Sequence, residues 1–115
     1  MRYDIYEIIG QYAIAPNSGQ DLYDQIFPRL SAGESIELNF SGVNIFATAF
    51  FNVAMGQLLK DLSRSDLNRQ IQITGLSDDG QNILRRVMDN SERYYTQPSY
   101  KQAVDSVMEE YIANC

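Results

Sequence analysis

The chain has 115 residues, of which 44% are hydrophobic, and this size and composition suit one domain with its own core. Its net charge is -6, and its basic residues are scattered rather than grouped into the stripe that nucleic acid binding requires. There is no histidine and one cysteine, Cys115, which excludes the commonest general base, an internal disulfide and the usual metal-ligand spacings.

The first elements predicted along the chain are two short strands. Tyr3–Ile9 is rich in β-forming residues and ends at Gly10, and Tyr12–Ala15 is again apolar and ends at Pro16. A short separation that contains glycine is typical of a β-hairpin. The sequence therefore predicts that these two segments pair with each other.

A helix is predicted next. Leu22, Ile26 and Leu30 recur every four residues, which is the spacing of a buried helix face. Asn17 or Ser18 is expected to cap its first turn, because side chains of these types accept a hydrogen bond from a free backbone amide.

The centre of the chain predicts a buried strand, a tight loop and a helix. Apolar residues at positions 36, 38 and 40 alternate with polar ones, which is the period of a strand. Ser41–Thr48 forms the loop. A helix of about four turns follows, with Phe50, Ala54, Leu58 and Leu62 on its apolar face.

The last third predicts a strand at Ile71–Thr74 and a helix that Ser77 or Asp78 caps. Asp89–Ser91 is interpreted as the end of this helix, and Arg93–Thr96 as a last short strand. Ser99 is interpreted as the cap of a final amphipathic helix. Asp78 and Asp79 lack the rest of a calcium loop, so a helix cap explains them better than a metal site does.

The alternation of strands and helices predicts the α/β class, with a mixed sheet of four to five strands and about four helices. The whole chain, residues 1–115, is expected to form a single domain. We expect a cytoplasmic protein, because the longest apolar run, Ile45–Phe51, is too short to cross a bilayer and acidic residues interrupt the apolar N-terminus.

The central stretch resembles a known family. Residues 35–59 read SIELNFSGVNIFATAFFNVAMGQLL, which is similar to the centre of the STAS domain found in bacterial anti-sigma-factor antagonists, and closer still to the STAS-like proteins grouped as DUF4325. The matching positions are Asn39-Phe40, Gly42-Val43, Ala47–Phe50 and Met55-Gly56. The segment YYTQPSYKQAVDSV also resembles the last strand and last helix of STAS domains.

The resemblance implies a regulatory switch. In the antagonists a serine before the second helix is phosphorylated by a partner kinase of the GHKL ATPase type, and the unphosphorylated form binds that partner. The matching position here is Thr48. Two departures weaken this implication, since Ala47 stands where an acidic residue is usual and Phe50 stands where a glycine follows.

The loop and the start of its helix are the candidate partner-binding site. Thr48 is either a phosphoacceptor or an ordinary N-cap, and Ile45 and Phe46 are either exposed anchors for a partner or plugs of the core. The predicted partner-binding residues are Asn44, Ile45, Phe46, Ala47, Thr48 and Asn52.

Three functions stay open from the sequence. The first is a non-enzymatic regulatory module that binds a partner protein, for which a GHKL-type ATPase or kinase is the candidate. The second is a self-associating structural protein, with a homodimer formed through a sheet edge or the tyrosine-rich surface. The third is a phage or defence-system inhibitor whose acidic charge mimics nucleic acid. No cofactor, metal, nucleic acid or membrane is expected, and enzymatic activity is not expected because histidine and metal ligands are missing.

Overall fold

Strands and helices alternate along the chain, and the structure, a computed structural model, describes residues 1–97 and 102–105. The elements are β1 (Arg2–Asp4), α1 (Ile5–Ile9), β2 (Tyr12–Ala13), α2 (Pro16–Ser31), β3 (Ile36–Asn39), β4 (Ile45–Phe46), α3 (Thr48–Ala54), a 3-10 helix (Gly56–Lys60), α4 (Arg64–Gln70), β5 (Ile71–Thr74) and α5 (Asp78–Thr96). The predicted α/β class is confirmed. Over the described ranges, no helix has both the length and the apolar character needed to span a membrane.

The strands form two small parallel sheets. One has the order β1-β3-β5, and the other pairs β2 with β4. In the larger sheet Leu38 of β3 lies between Tyr3 of β1 and Ile73 of β5. The prediction of one mixed sheet of four to five strands is therefore wrong, because the five described strands divide into sheets of three and two and every pair is parallel.

The predicted N-terminal hairpin is also wrong. Of the first segment only the start is a strand, within Arg2–Asp4, and Ile5–Ile9 forms α1, which is followed by Gly10 with a φ of 80°. The second segment contributes the strand Tyr12–Ala13, which pairs with β4 and not with β1. The apolar residues of this segment fit two periods, since Ile5, Ile8 and Ile9 also have the spacing of one helix face. Parallel pairing of β1 with β3 requires a crossover instead of a tight turn, and α1 and α2 lie in that crossover.

The core lies on one face of the larger sheet. Ile36 and Leu38 of β3 are buried on that face, together with the Leu22, Ile26 and Leu30 stripe of α2. The alternate residues, Glu37 and Asn39, lie on the opposite face and are half-buried. Positions paired with them on the neighbouring strands are polar as well, namely Arg2, Asp4, Gln72 and Thr74. Parallel sheets usually have both faces covered, and here the second face is polar.

Helix α2 begins two to three residues earlier than a cap at Asn17 or Ser18 would place it. Pro16 is its first residue, Ala15 occupies the N-cap position, and no side chain caps the first turn. Asn17 and Ser18 are therefore inside the helix, and the prediction that one of them is the cap is wrong. Proline is favoured at the first helical position, because its missing N–H would have no partner there.

The helix after the loop is shorter than predicted. It ends at Ala54, and Gly56–Lys60 continues as a 3-10 helix. Gly56 packs so closely against Ser91 and Val87 of α5 that a Cβ atom would clash there. The close approach of the two elements thus occurs at the first residue of the 3-10 helix.

From Ser63 onward the structure differs from the prediction in two places. Helix α4 was not predicted, because Leu67 is the one apolar residue among its seven. The Ser63 hydroxyl caps it by accepting a hydrogen bond from the Asp66 amide at 3.1 Å, and this Ser-x-x-Asp spacing is the signal that could have identified it. Helix α5 runs through the supposed stop and strand to Thr96, because Val87, Met88 and the half-buried Tyr94 and Tyr95 continue its apolar face.

The end of α5 lies close to the second described range. The hydroxyl of Tyr94 donates a hydrogen bond to Asp105 at 2.7 Å, and Tyr94 meets the Tyr95 ring edge-on at 5.0 Å. Residues 102–105 are helical, but the rest of the predicted final helix lies outside the described residues. The same holds for Tyr100 and Cys115.

A buried glutamine joins α4 to the end of α2. The Gln70 amide nitrogen donates to the carbonyl oxygens of Leu30 at 3.0 Å and of Glu34 at 2.8 Å. Leu30 lies in the last turn of α2, where carbonyls lack the usual helical partner, and its oxygen also accepts from the Gly33 amide at 3.0 Å. Glu34 lies beyond the end of the helix. Gln70 therefore caps α2 from a distant part of the chain.

We expect Gln70→Glu to destabilise the fold by about 1–2 kcal/mol at neutral pH, because an ionised carboxylate cannot donate to either carbonyl. Burial raises the folded-state pKa of the new carboxyl above its unfolded value of about 4.3. Below that unfolded value the protonated carboxyl has one O–H, which can donate to only one of the two carbonyls, so the variant should recover part of the wild-type stability there. It should lose that part as the pH rises through the raised pKa. Urea unfolding at several pH values tests this. A destabilisation that does not change with pH would contradict it, and Gln25→Glu on the exposed face of α2 is the matched control.

Candidate functional site

A side-chain network fixes the start of the loop. The Asn39 side-chain oxygen accepts hydrogen bonds from the Ser41 amide at 3.2 Å and the Ser41 hydroxyl at 2.9 Å. The Asn39 amide nitrogen donates to Asp4 at 3.0 Å. This bond is the main reason that the pKa of Asp4 lies below its ordinary value, and the hydrogen bond from Arg2 adds to the effect. The ionised Asp4 thus orients Asn39, and Asn39 orients the loop.

The smaller sheet holds the middle of the loop against the N-terminal segment. The Asn44 amide donates to the Gln11 carbonyl and the Ala47 amide donates to the Ala13 carbonyl, both at 2.9 Å. The parallel register places Tyr12 opposite Ile45 and Ala13 opposite Phe46. Side chains of a strand alternate between faces, so each of these two pairs shares one face.

The inward face of this sheet is part of an aromatic cluster. Ala13 is fully buried and Phe46 is half-buried. The Phe46 ring stacks on Phe51 of α3 with centroids 5.8 Å apart, and Phe51 also contacts Phe40 at 6.0 Å and Phe50 at 5.4 Å. Phe46 therefore packs on the core and is not a free anchor. Of the two interpretations of Phe46, the structure supports the core plug.

The outward face is apolar and exposed. Tyr12 is 51% exposed and Ile45 is 49% exposed, and Ile14, two residues after Tyr12, is exposed as well. Asn44 is also exposed. Ile45 is thus an exposed apolar residue that a partner can reach. The contribution of Tyr12 and Ile14 was missed from the sequence, because it depends on pairing between segments that are distant along the chain.

Thr48 is the first residue of α3 and is exposed. The N-cap position is Ala47, and no side chain caps this helix, so the N-cap interpretation of Thr48 is wrong. Asn52 is exposed one turn further along the same helix. Residues four apart lie on one helix face, so Thr48 and Asn52 are neighbours on the surface, while Ala47 is half-buried.

The exposed residues of this region form what we call the loop surface: Tyr12, Ile14, Asn44, Ile45, Thr48 and Asn52. It offers apolar contact area and neutral polar groups, a combination typical of protein recognition. Among the described residues, no three acidic or thiol side chains converge as a metal site would require. Asp78 and Asp79 lie in the first turn of α5, where the Ser77 hydroxyl accepts from the Gly80 amide at 3.2 Å, as the predicted cap requires.

The family model described as a STAS-like domain of unknown function (DUF4325) matches residues 18–81, which is more than half of the chain. The matched range covers α2 from its third residue, β3, the loop and α3. Comparisons with curated proteins and with solved structures gave no significant match.

Proposed function

This chain belongs to the DUF4325 family of STAS-like domains, and from that premise we propose that it is a small regulatory module that binds a partner protein through the loop surface. The observation that carries the proposal is the paired exposure of Tyr12 and Ile45 on the outward face of the smaller sheet. Exposed aromatic and aliphatic side chains held on a fixed backbone are the usual anchors of an interface.

The rigidity of the loop supports the same function. Asn39 holds its first residues, backbone bonds to Gln11 and Ala13 hold its middle, and Phe46 anchors it to the aromatic cluster. A surface that is ordered before binding loses little conformational entropy when a partner arrives. The loop therefore presents Ile45 in a defined orientation.

The partner in this proposal is a GHKL-type ATPase or kinase, as the resemblance to the anti-sigma-factor antagonists implies. Thr48 is the residue on which such a kinase would act. This role is supported by the exposure of Thr48 at the start of α3 and by the finding that the Thr48 hydroxyl does not cap the helix. A phosphate here would place about two negative charges on a surface that is otherwise neutral and partly apolar.

We expect Ile45→Glu to weaken binding of the partner at least about tenfold, because a charge must then be buried in an apolar contact. Affinity-tagged wild type and variant are expressed in the native host, and the ATPase that co-purifies is quantified by mass spectrometry. Gln72→Glu adds the same charge on the exposed polar face of the larger sheet and should leave the yield unchanged. Equal recovery with Ile45→Glu and wild type would contradict the proposal.

We expect Thr48→Glu to lower partner binding by about the same factor, since it places a negative charge at the proposed modification site. Thr48→Ala and Thr48→Ser should bind as the wild type does. Calorimetric titration with the purified ATPase measures all three, and mass spectrometry of the chain after incubation with ATP detects the phosphate. If the three variants bind alike and no phosphate is found at Thr48, the switch is wrong even where binding itself holds.

Self-association is the competing function. In a homodimer, a second copy of this chain would cover Tyr12 and Ile45 in place of a different partner protein. Sedimentation at micromolar concentration distinguishes the homodimer from the regulatory module. A stable dimer that Ile45→Glu dissociates, with no ATPase recovered from the host, would favour a homodimer. A monomer that recovers the ATPase favours the regulatory module.

A further inference from the structure

A groove of about 450 Å³ lies between α4, β5 and α5, away from the residues of the loop surface. Its lining is mainly apolar and includes Leu67, Ile71, Ile73, Leu84 and Met88, with Arg85 beside them. One wall is β5, which is an edge strand of the larger sheet. The groove therefore adjoins a strand edge as well as apolar side chains.

The outer edge of β5 offers backbone groups to a further strand. β3 is the only strand that pairs with β5 in the described part of the chain. The Phe40 amide donates to the Thr74 carbonyl at 2.8 Å, so Thr74 points its backbone toward β3. Backbone directions alternate along a strand, and Ile73 therefore points its N–H and C=O away from β3. Ile71, Ile73 and Gly75 are the β5-side residues that line the groove.

The charge of the groove is opposite to that of the chain. The chain has a net charge of -6, yet the lining contains Arg64 and Arg85 and no carboxylate. Arg64 already contacts Asp89 at 2.8 Å and Glu92 at 3.8 Å. The exposed Arg85 contacts the Asn82 side-chain oxygen at 2.9 Å and, over residues 1–97 and 102–105, no acidic side chain. The Arg85 guanidinium is thus able to pair with a carboxylate of a bound segment.

We propose that this groove is a second docking site, which binds an extended acidic segment of a partner protein as a fourth strand beside β5. Backbone hydrogen bonds to Ile73 supply the pairing, alternate apolar side chains of the segment enter the groove, and a carboxylate of the segment contacts Arg85. This is strand addition to an exposed sheet edge, in which the main chain supplies affinity and the side-chain pockets supply specificity. An exposed edge strand is a ready template for such pairing.

A displayed library of random twelve-residue peptides, selected on the immobilised full chain, is the probe. The enriched peptides should alternate apolar residues and carry an aspartate or glutamate. A fluorescein-labelled enriched peptide should bind Arg85→Glu about tenfold more weakly than wild type, because like charges then face each other. Arg86→Glu makes the same change at the next position of α5, outside the lining of the groove, and should bind as wild type does.

Three further readouts decide the mode and the place of binding. N-methylation of those alternate peptide bonds whose N–H groups face β5 should abolish binding. The bound peptide should also slow amide hydrogen exchange at Ile73. Ile45→Glu should not change the affinity, which separates this site from the loop surface. The proposal is overturned if no peptide is enriched, if Arg85→Glu and Arg86→Glu bind equally, if N-methylation has no effect, or if the peptides lose binding on Ile45→Glu.

Discussion

Replacing Phe51 with alanine should lower the free energy of unfolding by about 3–5 kcal/mol. Phe51 is fully buried and its ring contacts three other phenylalanine rings, Phe40, Phe46 and Phe50. The truncation removes a large apolar side chain from water-free surroundings and leaves a cavity that the neighbouring rings fill only in part. Because Phe46 stacks on Phe51, the loop surface should also become more mobile.

Denaturant unfolding of Phe51→Ala measures the loss, and amide hydrogen exchange of residues 44–47 measures the loop. Phe46→Ala is the matched control, because it removes the same side chain from a half-buried position in the same cluster. It should cost less stability than Phe51→Ala. If Phe51→Ala lowers stability by less than about 1 kcal/mol, or no more than Phe46→Ala does, the aromatic cluster does not support the loop in the way described.

Gly19→Ala should destabilise the chain by about 3 kcal/mol, near the upper end for overpacking. Gly19 of α2 faces α3, and a Cβ atom there would lie 2.6 Å from the Phe50 carbonyl oxygen and 3.2 Å from the Ala54 amide nitrogen. These are backbone atoms, so no side-chain rotation relieves the clash, and the two helices must separate. The loss outweighs the roughly 1 kcal/mol by which alanine is the better helix former.

Thermal and urea unfolding of Gly19→Ala test this close approach of α2 and α3. Asn17→Ala, in the exposed first turn of the same helix, is the control and should change stability by less than about 0.5 kcal/mol. Asn17→Ala also tests whether Asn17 caps α2, because the loss of an N-cap would cost about 1 kcal/mol. An unchanged or raised stability of Gly19→Ala would show that α2 and α3 are not in contact at this point.

The elements that were predicted correctly have one clear period. β3 alternates apolar and polar residues, and α2 repeats leucine and isoleucine every four residues, so local pattern and tertiary burial agree. The apolar residues of Tyr3–Ile9 fit both the period of a strand and that of a helix. In the structure the chain pairs with β3 only at Arg2–Asp4, and the rest of the segment is helical. Helix α4 has one apolar residue, the buried Leu67, and it is also held by the Ser63 cap and by Gln70, which donates to the distant Leu30 carbonyl.

The candidate site was predicted only where local sequence pattern determines the structure. The position of Thr48, exposed where the loop meets α3, follows from local signals. The partnership of Tyr12 with Ile45 does not, because two strands of two residues each carry almost no local pattern and pair across a long separation. The aromatic stacking of Phe46 on Phe51 likewise depends on the folded geometry of α3.

Photo-crosslinking in the native host is the most direct test of the proposal that the loop surface binds a regulatory partner. The photoreactive residue p-benzoylphenylalanine is placed at position 45, or at position 72 on the polar face as a control, and the cells are irradiated. We predict that position 45 forms an adduct with a GHKL-type ATPase and that position 72 does not. An adduct at position 45 with only a second copy of this chain, or the same adducts from both positions, would contradict the account.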